Sequence, residues 1–385
     1  MPEEHDSFLV DTRGRRPGAG ASAGERSRTA PPPPPGRLRQ APRPTTPSGP
    51  PVRTRRRGVG LRRGLLLVLV VLLAYAGFIV YAPYHAWSTV ARVNTTPTGA
   101  RGATPAAGHV YLLVGSDSRA GLTAAQRKKL GTGTVAGQRT DSIILVYVPS
   151  GGGKSALISI PRDSYVPIPG HGSNKINAAY SFGGAPLLVR TVEQATDLRI
   201  DGYVEVGFGG FVGVVDSLGG VRICVPFAMN DHEAHINLAK GCQQLDGPTA
   251  LGYVRARYSD PRGDIGRAAR QRQFLGAIMA KVATPATVLV PTRWWDVTHS
   301  VAGGLTVGED TSLMDAYRVA QALRGVSKDE TLSLVVPLAD INYQTSAGSS
   351  VKWDTARAKA LFGMLRSGQP LTAPPAGTNG VPSGG

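Results

Sequence analysis

The chain has 385 residues, which bounds it to one large domain with tails or to two smaller domains. Its formal net charge is +17, yet about half of that lies in residues 1–63, where 14 arginines and no lysine meet 5 acidic residues. This excludes a charge spread evenly over a folded body, although the remainder still favours anionic partners. Residues 1–63 hold five consecutive prolines and few apolar groups to bury, so they read as a disordered basic cytoplasmic tail. Residues 64–87 follow without a single charge, long enough to cross a hydrocarbon core that needs roughly 20 apolar residues. Arg53, Arg55, Arg56, Arg57, Arg62 and Arg63 crowd one side, and Tyr81, Tyr84 and Trp87 mark the other. Positive charge stays inside, so the tail is expected in the cytoplasm and everything after residue 87 outside. The alternative is a cleaved signal peptide, with "AYA" at 74–76 as its cleavage site. The long n-region and the continuing apolar residues favour an uncleaved, single-pass anchor.

Residues 88–107 read as a polar linker and 371–385 as a disordered C-terminal tail, leaving one extracytoplasmic domain at 108–370. Strand-like runs there are "VYLLVGS", "DSIILVYV", "ALISI", "GYVEVGF", "VRICVPF" and "LSLVVPL". Helix-like runs are "GGAPLLVRTVEQATD", "FGGFVGVVDSLGG", "PTALGYVRARY", "IGRAARQRQFLGAIMAKVA", "SLMDAYRVAQALRG" and "DTARAKALFGMLRS". Several strands are almost wholly apolar, so both faces of the sheet are expected to be covered. The predicted fold is a three-layer α/β/α domain with a mixed central sheet, preceded by one transmembrane helix. Residues 281–370 carry no motif and are expected to complete the layers. Cys224 and Cys242 lie in an outside domain, where a disulfide can form and stabilise by about 3 kcal/mol; two buried thiols are the alternative.

Three familiar patterns fail on inspection. "PSGGGKS" lacks the glycine a phosphate loop needs at Val148 and joins two strands, so it reads as a hairpin. "DHEAH" at 231–235 lacks zincin spacing and reads as an exposed loop. "VGSDS" lacks the second glycine of a nucleophile elbow.

Four polar clusters sit at strand or helix ends instead. They are "LLVGSDSR" with Asp117 and Arg119, "QRTDSIILV" with Arg139 and Asp141, "ISIPRD" with Arg162 and Asp163, and "YVRARYSDPRGDIGRAARQRQ". A lone Asp at a strand end often caps a turn, and a lone Arg usually faces solvent. The fourth cluster resists that reading. Arg267 and Gln271 are four apart and share a helix face, with Arg270 beside them, and Arg255 and Arg257 precede. Arginine in a first helical turn is favourable when an anion sits there. Phe274, Leu275, Ile278, Met279 and Val282 then make an apolar stripe, mostly core. A cationic head leading into an apolar track suits a lipid diphosphate, whose oxygens arginine forks bind bidentately. Asp117 and Asp141 could hold Mg²⁺, which takes one or two carboxylates plus substrate phosphates.

These residues resemble the LytR–CpsA–Psr family. The resemblance rests on "LLVGSDSR", "RTDSIILV", "SALISIPRDSYVPIPGHGSNKINAAYSFGG", "GYVEVGFGGFVGVVDSLGGVRICVP" and "LDGPTALGYVRARYSDPRGDIGRAARQRQFLGAI", in that order across roughly 109–280. It implies a Mg²⁺-using enzyme that moves an anionic glycopolymer from a polyprenyl-diphosphate carrier onto peptidoglycan. The expected acceptor is the 6-hydroxyl of N-acetylmuramic acid, the new bond a phosphodiester, and diphosphate hydrolysis a side activity. Asp117 and Asp141 would be metal ligands, and Arg162, Arg255, Arg257, Arg267, Arg270 and Gln271 would surround the diphosphate. Asp117, Arg162 and Arg267 would be catalytic, with Asp117 as a candidate base. Arg119, Asp163, Lys175 and Asn177 match motif positions on the substrate side. The stretch 120–137 departs from the pattern. Two other readings stand beside this one: a membrane-bound transcription attenuator, which deletion of 1–58 would disable, and a noncatalytic polyprenyl-phosphate-binding wall protein. No specific nucleic-acid motif occurs in the tail.

Overall fold

Alternating apolar strands form the centre of the computed structural model, which describes residues 49, 57–99, 101, 103–104, 107–117, 140–256 and 263–383. Met1–Val59 and Gly60–Gly385 are separate units, and the sheet with its covering helices belongs to the second. Strands β1 (Ala91–Val93), β2 (Gly108–Ser116), β3 (Thr140–Pro149), β4 (Ser155–Ile160), β7 (Gly202–Val206), β12 (Leu305–Gly308) and β13 (Thr331–Val335) make one sheet. Its order is β1-β12-β7-β2-β3-β4-β13. The sheet is mixed: β2 is antiparallel to β3 and parallel to β7, and β4 is parallel to β13.

Period-two alternation sends Val110, Leu112 and Val114 to one face, and Tyr111 and Leu113 to the other. The first face is covered by α2 (Ala178–Thr196) through Leu188 and Val192, and by α9 (Thr355–Arg366) through Leu361 and Phe362. Covering the second are α7 (Pro291–Gly304) through Ala302 and α8 (Leu313–Gly325) through Val319 and Leu323. The three-layer expectation is met. A separate apolar cluster gathers α3 (Phe208–Ser217), α4 (Gly247–Arg255) and α5 (Gly263–Val282) around the ribbon of β8 (Val221–Val225) and β11 (Gly241–Leu245). "VRICVPF" is thus a strand as predicted, but it pairs outside the central sheet. The hairpin of β9 (Met229–Asp231) and β10 (Ile236–Leu238) completes this cluster. Its turn is "DHEAH": His232 and His235 are exposed, while Asp231 is buried and accepts from the Ala234 amide at 3.0 Å. "PSGGGKS" is the β3–β4 hairpin turn.

Three boundaries differ from the sequence reading. Helix α1 (Arg57–Ser88) starts before residue 64. Residues 60–88 of it are long and apolar enough to cross a membrane. The linker 88–107 contributes β1, whose backbone pairs with β12 at the sheet margin. The C-terminal tail read as disordered is laid on the domain. Leu371 is buried, and the Lys154, Val335 and Ser383 amides donate to Leu371, Thr378 and Leu338 carbonyls. Open strand-edge groups supply the partners that its composition hid.

Cys224 and Cys242 stand directly opposite in the β8–β11 ribbon and are disulfide-bonded. A two-stranded ribbon is marginal by itself, so the cross-link pins it against α4 and α5. Replacing both cysteines with serine should lower unfolding free energy by about 3 kcal/mol, measured by denaturant titration. No change would mean that packing alone holds the ribbon.

Candidate active site at the carboxyl edge of the sheet

Strands β2, β4 and β7 end at one edge of the sheet, and β3 begins there. Both faces of these strands are covered, so exposed polar groups concentrate where the strands stop. Ser116 and Asp117 leave β2, and Arg162 and Asp163 follow β4. The register steps from Gly115–Ser142 to Ser116–Thr140, which makes Asp141 the extra residue of a bulge facing the end of β2. The backbones of Asp117 and Asp141 are thus close at this edge. The side chain of Asp141 lies outside the described residues, as do Arg119, Arg257 and the stretch 120–137.

An apolar cavity enclosing about 710 Å³ of empty space, its open mouth included, lies beside this edge. Leu113, Ile144 and Val206 form its floor, and Phe211, Leu251, Phe274 and Leu275 its walls. The polar lining is Ser116, Ser142, Arg255 and Gln271. Ser116 and Ser142 stand at the strand ends, so the polar end of the cavity is the sheet edge. The apolar stripe read on α5 divides here: Phe274 and Leu275 wall the cavity, while Ile278 packs into the core around the disulfide ribbon.

The Arg255 guanidinium lies 4.8 Å from the centre of the Phe208 ring, a cation–π contact that holds it at the cavity. Neighbouring cations do different work. Arg270 is buried, its Nε donating to the Tyr253 carbonyl at 3.2 Å and its Nη2 donating to the Ala256 carbonyl. Arg270, expected on the substrate side, here caps the carboxyl end of α4, whose last carbonyls have no intrahelical partner. Gln271 lines the cavity and also donates to the Val254 carbonyl at 3.3 Å. Together they fix the turn that presents Arg255. Arg267 is buried one turn before Gln271. Because α5 begins at Gly263, Arg267 lies beyond its first turn. The helix dipole expected to act there does not reach it, since that field fades within one turn.

The "PRD" loop is braced from three sides. Asp163 pairs with Lys175 at 3.1 Å and with Arg162 at 3.6 Å, all three side chains being mostly buried. Strands β5 (Tyr165–Ile168) and β6 (Gly172–Lys175) form the hairpin that returns Lys175 opposite Tyr165. The Asn177 amide donates to the Arg162 carbonyl at 3.2 Å, so its backbone ties the rim. The third brace comes from β15 (Gly348–Trp353): the Val351 amide donates to the Asp163 carbonyl at 2.8 Å, and Trp353 Nε1 to Ser164 Oγ at 2.8 Å. Residues 281–370, without a motif in the sequence, supply this support. Arg162 stands two strand spacings from Ser116, about 10 Å across the edge.

Sequence reasoning missed four groups. Glu205, buried on β7, accepts from Tyr203 Oη at 2.7 Å and Tyr180 Oη at 3.0 Å. Burial first, and then the Glu205 charge, push both phenols above their ordinary range, which keeps them as donors. Tyr180 also feels the Asp117 charge, so this buried carboxylate adjoins the edge. The fourth is Arg272, whose Nη1 donates to Ser159 Oγ on β4 at 2.6 Å. Burial pushes its guanidinium down to about 10, so it remains charged at neutral pH. Only the alternation of "GYVEV", which places Glu205 and Tyr203 on one face, hinted at the first pair.

Removing the Arg270 head while keeping its stem, Arg270→Met, should destabilise by about 1–3 kcal/mol, because buried carbonyls lose their donors. Thermal denaturation measures this; an unchanged melting temperature would remove the capping role.

Known proteins are similar to this chain. A model described as the LytR_cpsA_psr family matches residues 92–365. "Probable cell wall biosynthesis protein LcpB" of Corynebacterium glutamicum is 42% identical over 304 residues, covering 79% of this chain and 69% of its own. "Polyisoprenyl-teichoic acid--peptidoglycan teichoic acid transferase TagU" of Bacillus cereus is 44% identical over 147 residues, 38% of this chain and 48% of its own. Among solved structures, B. subtilis TagV is 26% identical with a TM-score of 0.53, covering 69% of this chain and 99% of its own.

Proposed function

This chain belongs to the LytR_cpsA_psr family, and on that premise we propose that it transfers an anionic glycopolymer from a polyprenyl-diphosphate carrier to peptidoglycan. The observation that carries the reading is the cavity: apolar walls for a prenyl chain, with Arg255, Gln271, Ser116 and Ser142 as its polar lining. The name of TagU supports both the carrier class and the acceptor. We place α1 as a single membrane pass with the tail in the cytoplasm and the domain outside, which puts the site where peptidoglycan is.

In the proposed reaction, an acceptor hydroxyl, the 6-hydroxyl of N-acetylmuramic acid, attacks the phosphorus that carries the glycopolymer. The new O–P bond makes a phosphodiester as the bond to polyprenyl phosphate breaks. Asp117 accepts the hydroxyl proton. Arg255, Arg162 and Arg267 hold and neutralise the diphosphate oxygens, and polyprenyl phosphate leaves with the freed charge. Lys175, held by Asp163, adds a cation to the rim. Two aspartates at neighbouring strand ends would suit Mg²⁺, an ion that draws its other ligands from phosphate and water. Held by Asp117 and Asp141, Mg²⁺ would neutralise diphosphate charge.

Arg255→Ala should lower transfer from lipid-linked polymer to purified peptidoglycan by about 10- to 100-fold, the worth of one charge-assisted hydrogen bond, with folding intact. Chelation by EDTA should abolish transfer and Mg²⁺ restore it. Full transfer by an Arg162→Ala, Arg267→Ala double variant would sink the site as assigned. Leu275→Trp, which fills the cavity, should stop polyprenyl-phosphate binding in a direct binding assay.

A further inference from the structure

The last turns of α1 do not stand clear of the domain. Tyr75 Oη donates to the Val288 carbonyl at 2.5 Å, and Trp294 Nε1 donates to the Ile79 carbonyl at 3.0 Å. Further along, His85 Nδ1 and His299 Nε2 lie 3.0 Å apart, and Trp295 stacks on His299 at 4.0 Å. The short helix α6 (Pro285–Val288) and α7 therefore climb beside α1 in the same direction, from the level of Tyr75 to that of His85.

That alignment sets a depth. The hydrocarbon boundary is set at Gly64, next to Arg62 and Arg63; snorkelling of their stems would move it back by about one turn, ~5 Å. From Gly64 to Tyr75 a helix rises about 17 Å, at 1.5 Å per residue. A hydrocarbon core is about 30 Å thick. If α1 crosses a bilayer, Tyr75 and the Val288 backbone bonded to it lie about 13 Å short of the far boundary. Tilting α1 shortens the vertical rise and only deepens them.

The residues at that level suit lipid. Leu289 is 63% exposed and Val290 38% exposed, the apolar tip of the α6–α7 turn. Lys281 closes α5 on the other flank, its carbonyl accepting from Thr287 Oγ1 at 3.2 Å, and its long stem can carry the ammonium outward; on α7 charge returns above the tip. Arg293 and Asp296, both exposed, come about one and two turns later on α7, and the arginine stem can carry its head toward the headgroups. Tyr81 and Tyr84, exposed on α1, stand where the boundary falls.

We propose that the α6–α7 turn, Val288–Leu289–Val290, is a second membrane contact, inserted in the acyl region of the leaflet opposite Arg62 and Arg63. It would set the height of the domain on the bilayer. Helix α5 leads from the cavity walls at Phe274 and Leu275 to this turn within 15 residues, so the cavity would stand close above the leaflet. The inference rests on α1 as a span and not on the transfer reaction, and each can fail alone.

The native chain has no free cysteine among the described residues, so single labels can be placed. Full-length Leu289→Cys, Leu69→Cys and Asn342→Cys variants would each carry one environment-sensitive fluorophore in phospholipid nanodiscs. All three positions are exposed in the protein itself. The label at 289 should match that at 69: quenched by nitroxides on lipid acyl chains, and several-fold less quenched by aqueous iodide than the label at 342. A 289 label as open to iodide as the 342 label, with 69 shielded, overturns the proposal. A 69 label open to iodide overturns the span and the insertion together.

Discussion

Burial of both faces of the central strands is the constraint on which the site depends. Val110, Leu112 and Val114 pack under α2 and α9, while Tyr111 and Leu113 pack under α7 and α8. No polar chemistry can be placed on such a surface without large desolvation cost. The charged residues of "GSDS" and "PRD" therefore come just past the last apolar position of each strand. The parallel sense of β2, β4 and β7 then brings three strand ends to one edge. A cavity with an apolar depth and a polar rim follows from the same arrangement.

Helix α5 organises that rim through three consecutive residues pointing three ways. Arg270 caps α4, Gln271 reaches the cavity, and Arg272 crosses to Ser159 on β4. Successive residues on a helix are about 100° apart, at 3.6 residues per turn, so a cationic run of this kind serves several neighbours at once. This bracing and the Phe208 ring both help to place Arg255. A similar division holds at the other rim, where Asp163 gathers Arg162 and Lys175 while β15 holds its backbone.

The membrane end and the chemical end of the domain are joined by the same helices. Helix α5 passes from the rim to the turn at Leu289, and α7 runs from that turn back along α1 to the underside of the sheet. Gly210 on α3 and Gly304 on α7 allow the close crossing that joins the two cores, since a Cβ on Gly210 would overlap the Gly304 carbonyl.

Much of this was legible in the sequence because it is local. Alternation in "VYLLVGS" and "DSIILVYV" gives strands with two buried faces, and the apolar run after Arg63 gives a helix long enough to span. The polar clusters stand out because charges directly after apolar strands need a reason. What the sequence could not decide is which helix end meets which side chain. Nothing in the sequence shows that Arg270 lies beside the open carbonyls of α4. Residues 371–383 read as disordered until the free edge groups of β13 supply partners. Nothing in the apolar run around Tyr75 shows that Val288, 213 positions away, accepts its hydrogen bond. Periodicity determines the elements, because backbone geometry repeats along the chain. Only tertiary packing settles the partners of orphaned polar groups, because each partner lies on an element far away in sequence.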